Sequence, residues 1–425
     1  MTESTEFDHT DPVFISYRHS DGMGTTAELV WLLRAAGIPV WRDVDDLPPG
    51  DTNERLKEAI ASGLSGAVFI VTPEVEHSPV IREVEAPRLI KLHQTYSDFA
   101  LGIANAVQEQ SGSVDYGAPD RLLDQPVETL SGVNQKEGTR EGLIDLVRGM
   151  VFHRIAHRRT VVAQNEGTFN FTLQTRNTPQ VYDRTGSELD TRLRPSTHER
   201  LPSAEGLADL ADVIQFLPTA ITRANAKRVR ITGGAHLSVA LAIGMALPGS
   251  RIGHLEVIDQ HDQTWAGDGI ARMPDAPSLI VVASGAGPAA DDLADRPRVA
   301  VYLDLMSPRS DSAFQRFVNE TGSALTAWAH LRHATDGPLH STEAGEIAAE
   351  AAYRIRELSS IHANAEVDLM IRGPFAMAVL VGSLLNTVRV TAYEWDDSRY
   401  PSYVPVLRLL SSTARGAIQQ VLIGQ

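Results

Sequence analysis

Phe14-Ile15-Ser16-Tyr17-Arg18, Asp43-Val44-Asp45-Asp46-Leu47-Pro48-Pro49-Gly50 and Ser78-Pro79-Val80-Ile81-Arg82-Glu83-Val84-Glu85 follow one another near the start of the chain, and the reading of the N-terminal fold rests on them. Val13–Tyr17 is a short apolar run with aromatic and β-branched residues, the pattern of a buried strand. Thr25–Ala36 places Ala27, Val30, Trp31 and Leu33 on the inner side of a helix that Gly37 ends, and Ile38–Arg42 forms the next strand. Asp51, with Glu54 three residues on, has the form of a capping box opening a second helix. Ala67–Val71 is a third strand, continuous and apolar as parallel strands are. Alternating strands and helices imply a doubly wound α/β sheet with right-handed crossovers. Ligands of such sheets bind outside the carboxyl ends of the strands, where Ser16–Ser20, Arg42–Gly50 and Pro73–Ser78 fall.

The whole chain limits what can be built on that sheet. Its 425 residues exceed one ordinary domain, and an apolar share of 43% supports normal packed cores. No apolar run reaches the length of a membrane span, and the acidic, polar N-terminus is unlike a signal peptide. The chain has no cysteine, which excludes disulfides and thiol chemistry and suits a reducing cytoplasm. A formal charge of −16 argues against wrapping duplex nucleic acid, but a few arginines and helix N-termini suffice for a small anion. His261, Asp262 and the other scattered His and Asp residues lack metal-ligand spacing, so no metal site is expected.

Pattern alone allows any flavodoxin-like protein. The motifs are narrower: Phe14-Ile15-Ser16-Tyr17-Arg18 with Ser20-Asp21, then Val40-Trp41-Arg42-Asp43 and Asp46-Leu47-Pro48-Pro49-Gly50, then Ser78 through Glu85. In this order they resemble a TIR (Toll/interleukin-1 receptor) domain: its opening strand, its second strand with the BB loop, and the segment carrying its catalytic glutamate. The family writes that last segment Ser-x-Trp-Val-x-x-Glu, and this chain departs from it with Pro79 at the tryptophan position if Glu83 is the matching acid. The resemblance implies an enzyme that cleaves NAD. It assigns Ser16, Arg18, Arg42, Asp46 and Leu47 to the substrate side, and one of Glu83 and Glu85 to catalysis.

Helical geometry leaves both acids open. With Ser78 as N-cap and Pro79 at the first helical position, Val80, Ile81 and Val84 form the buried stripe and the two glutamates flank it on opposite sides. Pro87 frees the carbonyl of Glu83 and is expected to kink the helix. Family spacing favours Glu83, with Glu85 second. One carboxylate is enough, because nicotinamide on ribose is already cationic and leaves without protonation. What needs stabilising is an oxocarbenium-like ribosyl centre. After Leu89 the pattern fades. Ser111–Gly138 reads as irregular, and a helix over Arg140–Ile155 closes a first domain placed at 1–160.

The second domain, 161–425, contains a weak duplication. Lys227–Val257 aligns with Ala365–Trp395 at an offset of 138, which pairs Val229 with Val367, Ile231 with Leu369, Gly244 with Gly382 and Glu256 with Glu394. Each copy reads strand, glycine turn, helix, strand, and two copies imply two fused Rossmann-like halves. Such turns offer backbone N–H groups and a positive dipole end to a phosphate. They are Gly233-Gly234-Ala235-His236-Leu237-Ser238, Arg372-Gly373-Pro374-Phe375 and Ser284-Gly285-Ala286-Gly287 after the run Leu279–Ala283, and none is a G-x-G-x-x-G fingerprint. Helices are expected over Gly206–Ala224 and Thr342–Leu358.

The first turn, Gly373-Pro374 with Gly382 following, and Tyr393-Glu394-Trp395 resemble a SAVED domain, a sensor of two fused CARF-like halves. The resemblance implies a cyclic oligonucleotide activator, often a cyclic trinucleotide, made by a partner synthase after phage infection. TIR joined to SAVED resembles the effectors of cyclic-oligonucleotide-based antiphage signalling systems (CBASS). The expected activator contacts are Gly233, Gly234, His236, Ser284 and Gly285 in the turns, Arg372 and Arg389 on phosphates, and Phe375 and Trp395 on bases. The expectation is a cytoplasmic NAD+ glycohydrolase that needs no cofactor and self-associates into an oligomer or filament when its ligand binds. A non-enzymatic TIR adaptor gated by a nucleotide is the alternative.

Overall fold

Apolar runs too short for helices become the inner strands of the N-terminal part. The computed structural model describes residues 8–41, 59–61, 63–176, 186–198, 200–287, 297–397, 400–411 and 415–424. The chain divides into two units. One runs to Asn165 and adds Pro179–Arg192 and Ala220–Asn225; the other comprises Glu166–Thr178, Leu193–Thr219 and the chain from Ala226 onward.

In the first unit, β1 (Val13–Ser16), β2 (Val40–Trp41), β3 (Gly66–Val71), β4 (Ala100–Asn105) and β5 (Asn134–Glu137) form one sheet in the order β2-β1-β3-β4-β5. Every neighbouring pair is parallel, as the apolar runs predict. Phe14, Phe69, Val71, Leu89, Phe99 and Ile103 share one buried core. α1 (His19–Ala35) starts earlier than expected, and α3 (Arg140–Gln164) runs beyond Ile155 from a Thr139 cap that accepts from the Gly142 N–H. The expected capping box at Asp51 and Glu54 and the loop Asp43–Gly50 lie outside the described residues. β4 was not foreseen, and the stretch expected to be irregular contains β5 and a helical turn at Ala118–Leu122.

Between β3 and β4 the chain makes a 3-10 turn, Pro73–His77, then a π-helical turn, Ile81–Glu85, that leads into α2 (Ala86–Thr95). The Ala86 N–H reaches back to the Ile81 carbonyl, five residues away. Pro87 has no N–H for the Glu83 carbonyl, and the wide turn takes the place of the expected kink. The buried stripe is therefore Ile81, Glu85, Ala86 and Leu89, whereas Val80 is exposed.

In the second unit, β6 (Thr168–Gln174), β7 (Arg228–Gly234) and β8 (Leu255–Ile258) are parallel neighbours, and β9 (Thr264–Ala266) runs antiparallel beside β8. A second sheet contains β10 (Leu279–Ala286), β11 (Arg298–Asp304), β12 (Ala327–His333), β13 (Glu366–Arg372), β14 (Val390–Asp396), β15 (Ser402–Leu409) and β16 (Ile418–Val421). Its order is β10-β12-β11-β13-β14-β15-β16, parallel from β12 to β14 and antiparallel at β10, β15 and β16. These are the two Rossmann-like halves of the expected fold. Helices α4 (Ala204–Val213), α6 (Ser312–Thr321) and α7 (Ala344–Ile361) also belong to this unit.

The duplication has a direct structural counterpart. β7, α5 (Leu237–Ala246) and β8 repeat as β13, α8 (Phe375–Leu384) and β14. From Ser238 to Ala246 and from Ala376 to Leu384 every residue is buried, so both helices are covered on all sides. They cross where Gly244 meets Gly382: a Cβ on Gly382 would lie 2.5 Å from the Leu241 carbonyl oxygen, and one on Gly244 would overlap that of Val379. The two glycines are equivalent positions of the repeat, so a pseudo-two-fold axis passes through this crossing.

Candidate functional site

Ser16 closes β1 and is buried, and its hydroxyl donates to Glu85 Oε2 at 2.5 Å. The inner stripe of the π turn thus brings a carboxylate to the carboxyl end of a central strand, where a doubly wound sheet receives ligands. Glu83 lies on the outer face of the same turn, exposed. Its neighbour Arg82 reaches the Glu76 carbonyl and Asp124 instead. Arg18 Nη1 donates to the Glu74 carbonyl and lies 3.1 Å from Glu74 Oε2, while Asp21 accepts from the Glu74 N–H. Arg18 therefore anchors the 3-10 turn beside the site. Thr72, just past β3, and Trp41, at the end of β2, each bury a polar atom that has no partner among the described residues. Arg42, Asp46 and Leu47 lie outside the described residues. The structure joins Ser16 to Glu85 and leaves Glu83 apart.

The expected activator contacts of the second unit scatter more. Ser284 and Gly285 are not in a turn: they continue β10, opposite Ala329 and Trp328 of β12. The reason for the glycine is close approach, since a Cβ on Gly285 would lie 2.5 Å from Trp328 Nε1. His236 is buried against Thr175: its N–H donates to Thr175 Oγ1 at 2.9 Å, and its Nδ1 lies 2.9 Å from the same hydroxyl. Arg389 precedes β14, at the end of the sheet opposite Arg372, and is exposed beside a broad groove with Tyr353, Arg356 and Ile361. Arg372, Phe375 and Trp395 do share the carboxyl edge of β13 and β14.

Sequence reasoning missed what surrounds those three. Arg372 Nη1 donates to Asp304 Oδ1 and to the Met306 carbonyl, both at 2.8 Å. Arg332 Nε lies 3.4 Å from Asp304 Oδ2, and its Nη2 pairs with Asp311. Burial and the Arg332 guanidinium hold His330 below the usual imidazole range. Asp304, Asp311 and His330 are close enough to hold an ion, but the two arginines already balance the carboxylates. Tyr302, Tyr403 and Trp395 form an aromatic row beside them, with ring centroids 5.8 and 5.3 Å apart.

The N-terminus of α5 is also spoken for. Glu394, buried, accepts from the Ser238 N–H at 2.6 Å. A carboxylate from the other half thus sits at the dipole end beside Gly233 and Gly234, where a phosphate was expected. The repeat register singles out Glu394 with Glu256, but the two differ. Glu256 faces Arg230 at 2.6 Å and His254 at 3.4 Å.

Burial pushes Glu394 up to about 7, against the backbone N–H bonds that lower it, and pushes Asp368 up to about 6, against Arg298. Both folded-state values exceed the unfolded ones. The stability they contribute is complete below the unfolded values and is lost as pH rises through about 6 and then about 7. Between pH 5 and pH 8 the second unit should lose on the order of 2 kcal/mol through Glu394 and about 1 kcal/mol through Asp368, part of whose loss already falls below pH 5. Glu394→Gln should flatten its part of the slope in thermal melts across that range; an unchanged slope would remove Glu394 from the account.

Together the fold and sites define a two-part α/β protein: a flavodoxin-like module with an acid at its strand ends, and a module of two Rossmann-like halves. The first is a TIR domain, whose family model matches residues 13–95, and the second is a SAVED domain (SMODS-associated and fused to various effectors sensor domain), matched over residues 212–409. No curated protein matches the chain as a relative. Among solved structures it is similar to the Acinetobacter baumannii Cap4 SAVED/CARF-domain containing receptor. With the cyclic trinucleotide 3′3′3′-cAAA the identity is 12% and the TM-score 0.42, over 91% of this chain and 96% of that one. With 2′3′3′-cAAA the identity is 12% and the TM-score 0.45, over 91% and 97%. For the Moraxella osloensis Cap4 receptor the identity is 13% and the TM-score 0.38, over 90% and 97%. Likenesses this loose define neither a ligand nor a site for this chain. No helix among the described residues is long and apolar enough to cross a membrane.

Proposed function

We propose that this protein is a ligand-gated NAD+ glycohydrolase of antiphage signalling, in which a cyclic oligonucleotide bound by the SAVED domain drives self-association and switches on the TIR domain. The observation that carries the enzymatic half is the Ser16–Glu85 pair at the strand ends. Glu85 supplies negative charge to the ribosyl centre as nicotinamide leaves, and Ser16 positions the carboxylate. Water then takes the ribosyl carbon, releasing ADP-ribose and a proton. Arg372, Phe375 and Trp395 read the activator, and Arg372 exchanges Asp304 for a phosphate. The activator binds the assembled form more tightly than the single chain, and that differential affinity shifts the population. The proposed setting is the cytoplasm, with no cofactor in the reaction.

The test is NAD+ consumption by the purified protein with and without cyclic di-, tri- and tetranucleotides. Turnover with one member, accompanied by growth in particle size, is the expected result. Binding of one member without nicotinamide release would replace the enzyme with a ligand-gated adaptor. No binding by any member would overturn the sensor half.

A further inference from the structure

We propose that Arg88 binds a phosphate of the NAD+ pyrophosphate and so positions the substrate whose ribosyl carbon faces Glu85. The assignment rests on the NAD+ glycohydrolase reading above and names the residue that takes the charged middle of the substrate. Arg88 lies in the first turn of α2, three residues beyond Glu85. In the sequence, that Glu–Arg spacing is one that pairs on a helix surface. The fold separates the two. Glu85 ends the π turn, and its carboxylate accepts from the Ser16 hydroxyl at 2.5 Å. Arg88 makes no hydrogen bond or ion pair among the described residues, although it is half-buried and its Nη1 is closed off from solvent.

A guanidinium cannot escape that situation by losing its proton. A buried N–H without an acceptor carries the full cost of its desolvation, and such donors are rare in native folds. The acceptor that fits a planar, charged fork is a carboxylate or a phosphate. The other guanidiniums at this end of the sheet are committed. Arg18 lies 3.1 Å from Glu74, Arg82 3.3 Å from Asp124 and Arg140 2.7 Å from Glu28. Among the described guanidiniums there, Arg88 alone keeps its charge uncompensated. Its position suits the substrate. Side chains on a helix lean toward the N-terminus, which for α2 is the Glu85 turn and the carboxyl ends of β1 and β3. The rise from Glu85 to Arg88 is about 4.5 Å, comparable with the one ribose that separates the nicotinamide-bearing carbon from its phosphate. A phosphate held by Arg88 thus leaves the ribosyl carbon beside the free negative charge of Glu85.

The experiment uses the full chain, NAD+ and the member of the cyclic nucleotide panel that gives turnover, with nicotinamide release as the readout. Arg88→Gln should raise KM for NAD+ by about 10–100-fold, the scale of a hydrogen bond to a charged group, and leave kcat within about threefold. ADP-ribose, which keeps both phosphates, should inhibit the variant correspondingly more weakly. Inhibition by nicotinamide, which has no phosphate, should not change. Arg88→Lys returns the charge without the fork and should recover part of the loss, and it keeps the test intact if Arg88→Gln fails to fold. An unchanged KM, a loss confined to kcat, or equal weakening of ADP-ribose and nicotinamide would overturn the assignment and leave the glycohydrolase reading standing. No nicotinamide release by the parent with any member of the panel would overturn that reading and this assignment with it.

Discussion

Glu85→Gln is expected to lower activator-stimulated NAD+ cleavage by about 100-fold or more while leaving ligand binding and assembly unchanged. The amide keeps the size of the side chain and an oxygen that accepts from the Ser16 hydroxyl, so the 2.5 Å contact and the packing of the π turn have a substitute. What it removes is the negative charge aimed at the developing ribosyl cation. Losing one electrostatic group of that kind typically costs about 10²–10³ in rate. Ser16→Ala should cost less, about tenfold, and should act on kcat more than on KM, because Ser16 positions the carboxylate and does not touch the reacting carbon. Glu83→Gln is the contrast: an exposed acid on the outer face of the turn should leave the rate within about twofold. Nicotinamide release, with particle size as a parallel measurement, decides between them. Loss of activity in Glu83→Gln with retention in Glu85→Gln would return the assignment to the family spacing.

That reversal of preference shows where sequence stops being informative. Both glutamates are visible in the chain, and so is the helix that carries them. Which of them faces inward depends on a stripe that continues to Leu89 and on the turn that widens ahead of Pro87, and the apolar residues Val80 and Val84 pointed to a different inner face. The parallel strands β1 and β3 were legible because continuous apolar runs have few other uses in so short a span. β5, Asn134–Glu137, was not, since an edge strand of polar residues looks like a loop. Ser284-Gly285 failed for a related reason. A glycine after an apolar run reads as a turn, and only the ring of Trp328 above it shows that the strand continues. Glu394 was visible as half of a repeated pair, but its place at the N-terminus of α5 is set by the other half of the duplication. Pairings across a long stretch of chain, such as Asp304 with Arg372 and Arg332, leave no local pattern at all.

Gly382→Leu is expected to destabilise the second unit by on the order of 3 kcal/mol or more and to abolish activator binding. Adding volume to a tight core typically costs 1–3 kcal/mol when side chains can yield, but the atoms in the way here are backbone. A Cβ at Gly382 lies 2.5 Å from the Leu241 carbonyl oxygen and 3.2 Å from the Gly244 Cα, so α5 and α8 must move apart. Their separation would uncover two helices that are apolar on every side and disturb the bond from the Ser238 N–H to Glu394. Gly234→Ala is the control, because nothing lies within 4 Å of the added carbon. It should change stability by less than about 1 kcal/mol, the scale of the Gly–Ala backbone difference. The crossing also predicts a coupling. Gly244→Ala and Gly382→Ala strain the same contact from the two sides, so once one has parted the helices the other costs less, and the double variant should fall short of the sum by about 1 kcal/mol. Thermal and denaturant melts of the full chain, read alongside ligand binding, measure all five variants. Simple additivity of the two alanine variants, or a Gly382→Ala protein as stable as its parent, would mean that the halves do not meet at this pair, and the pseudo-two-fold axis would have to be placed elsewhere.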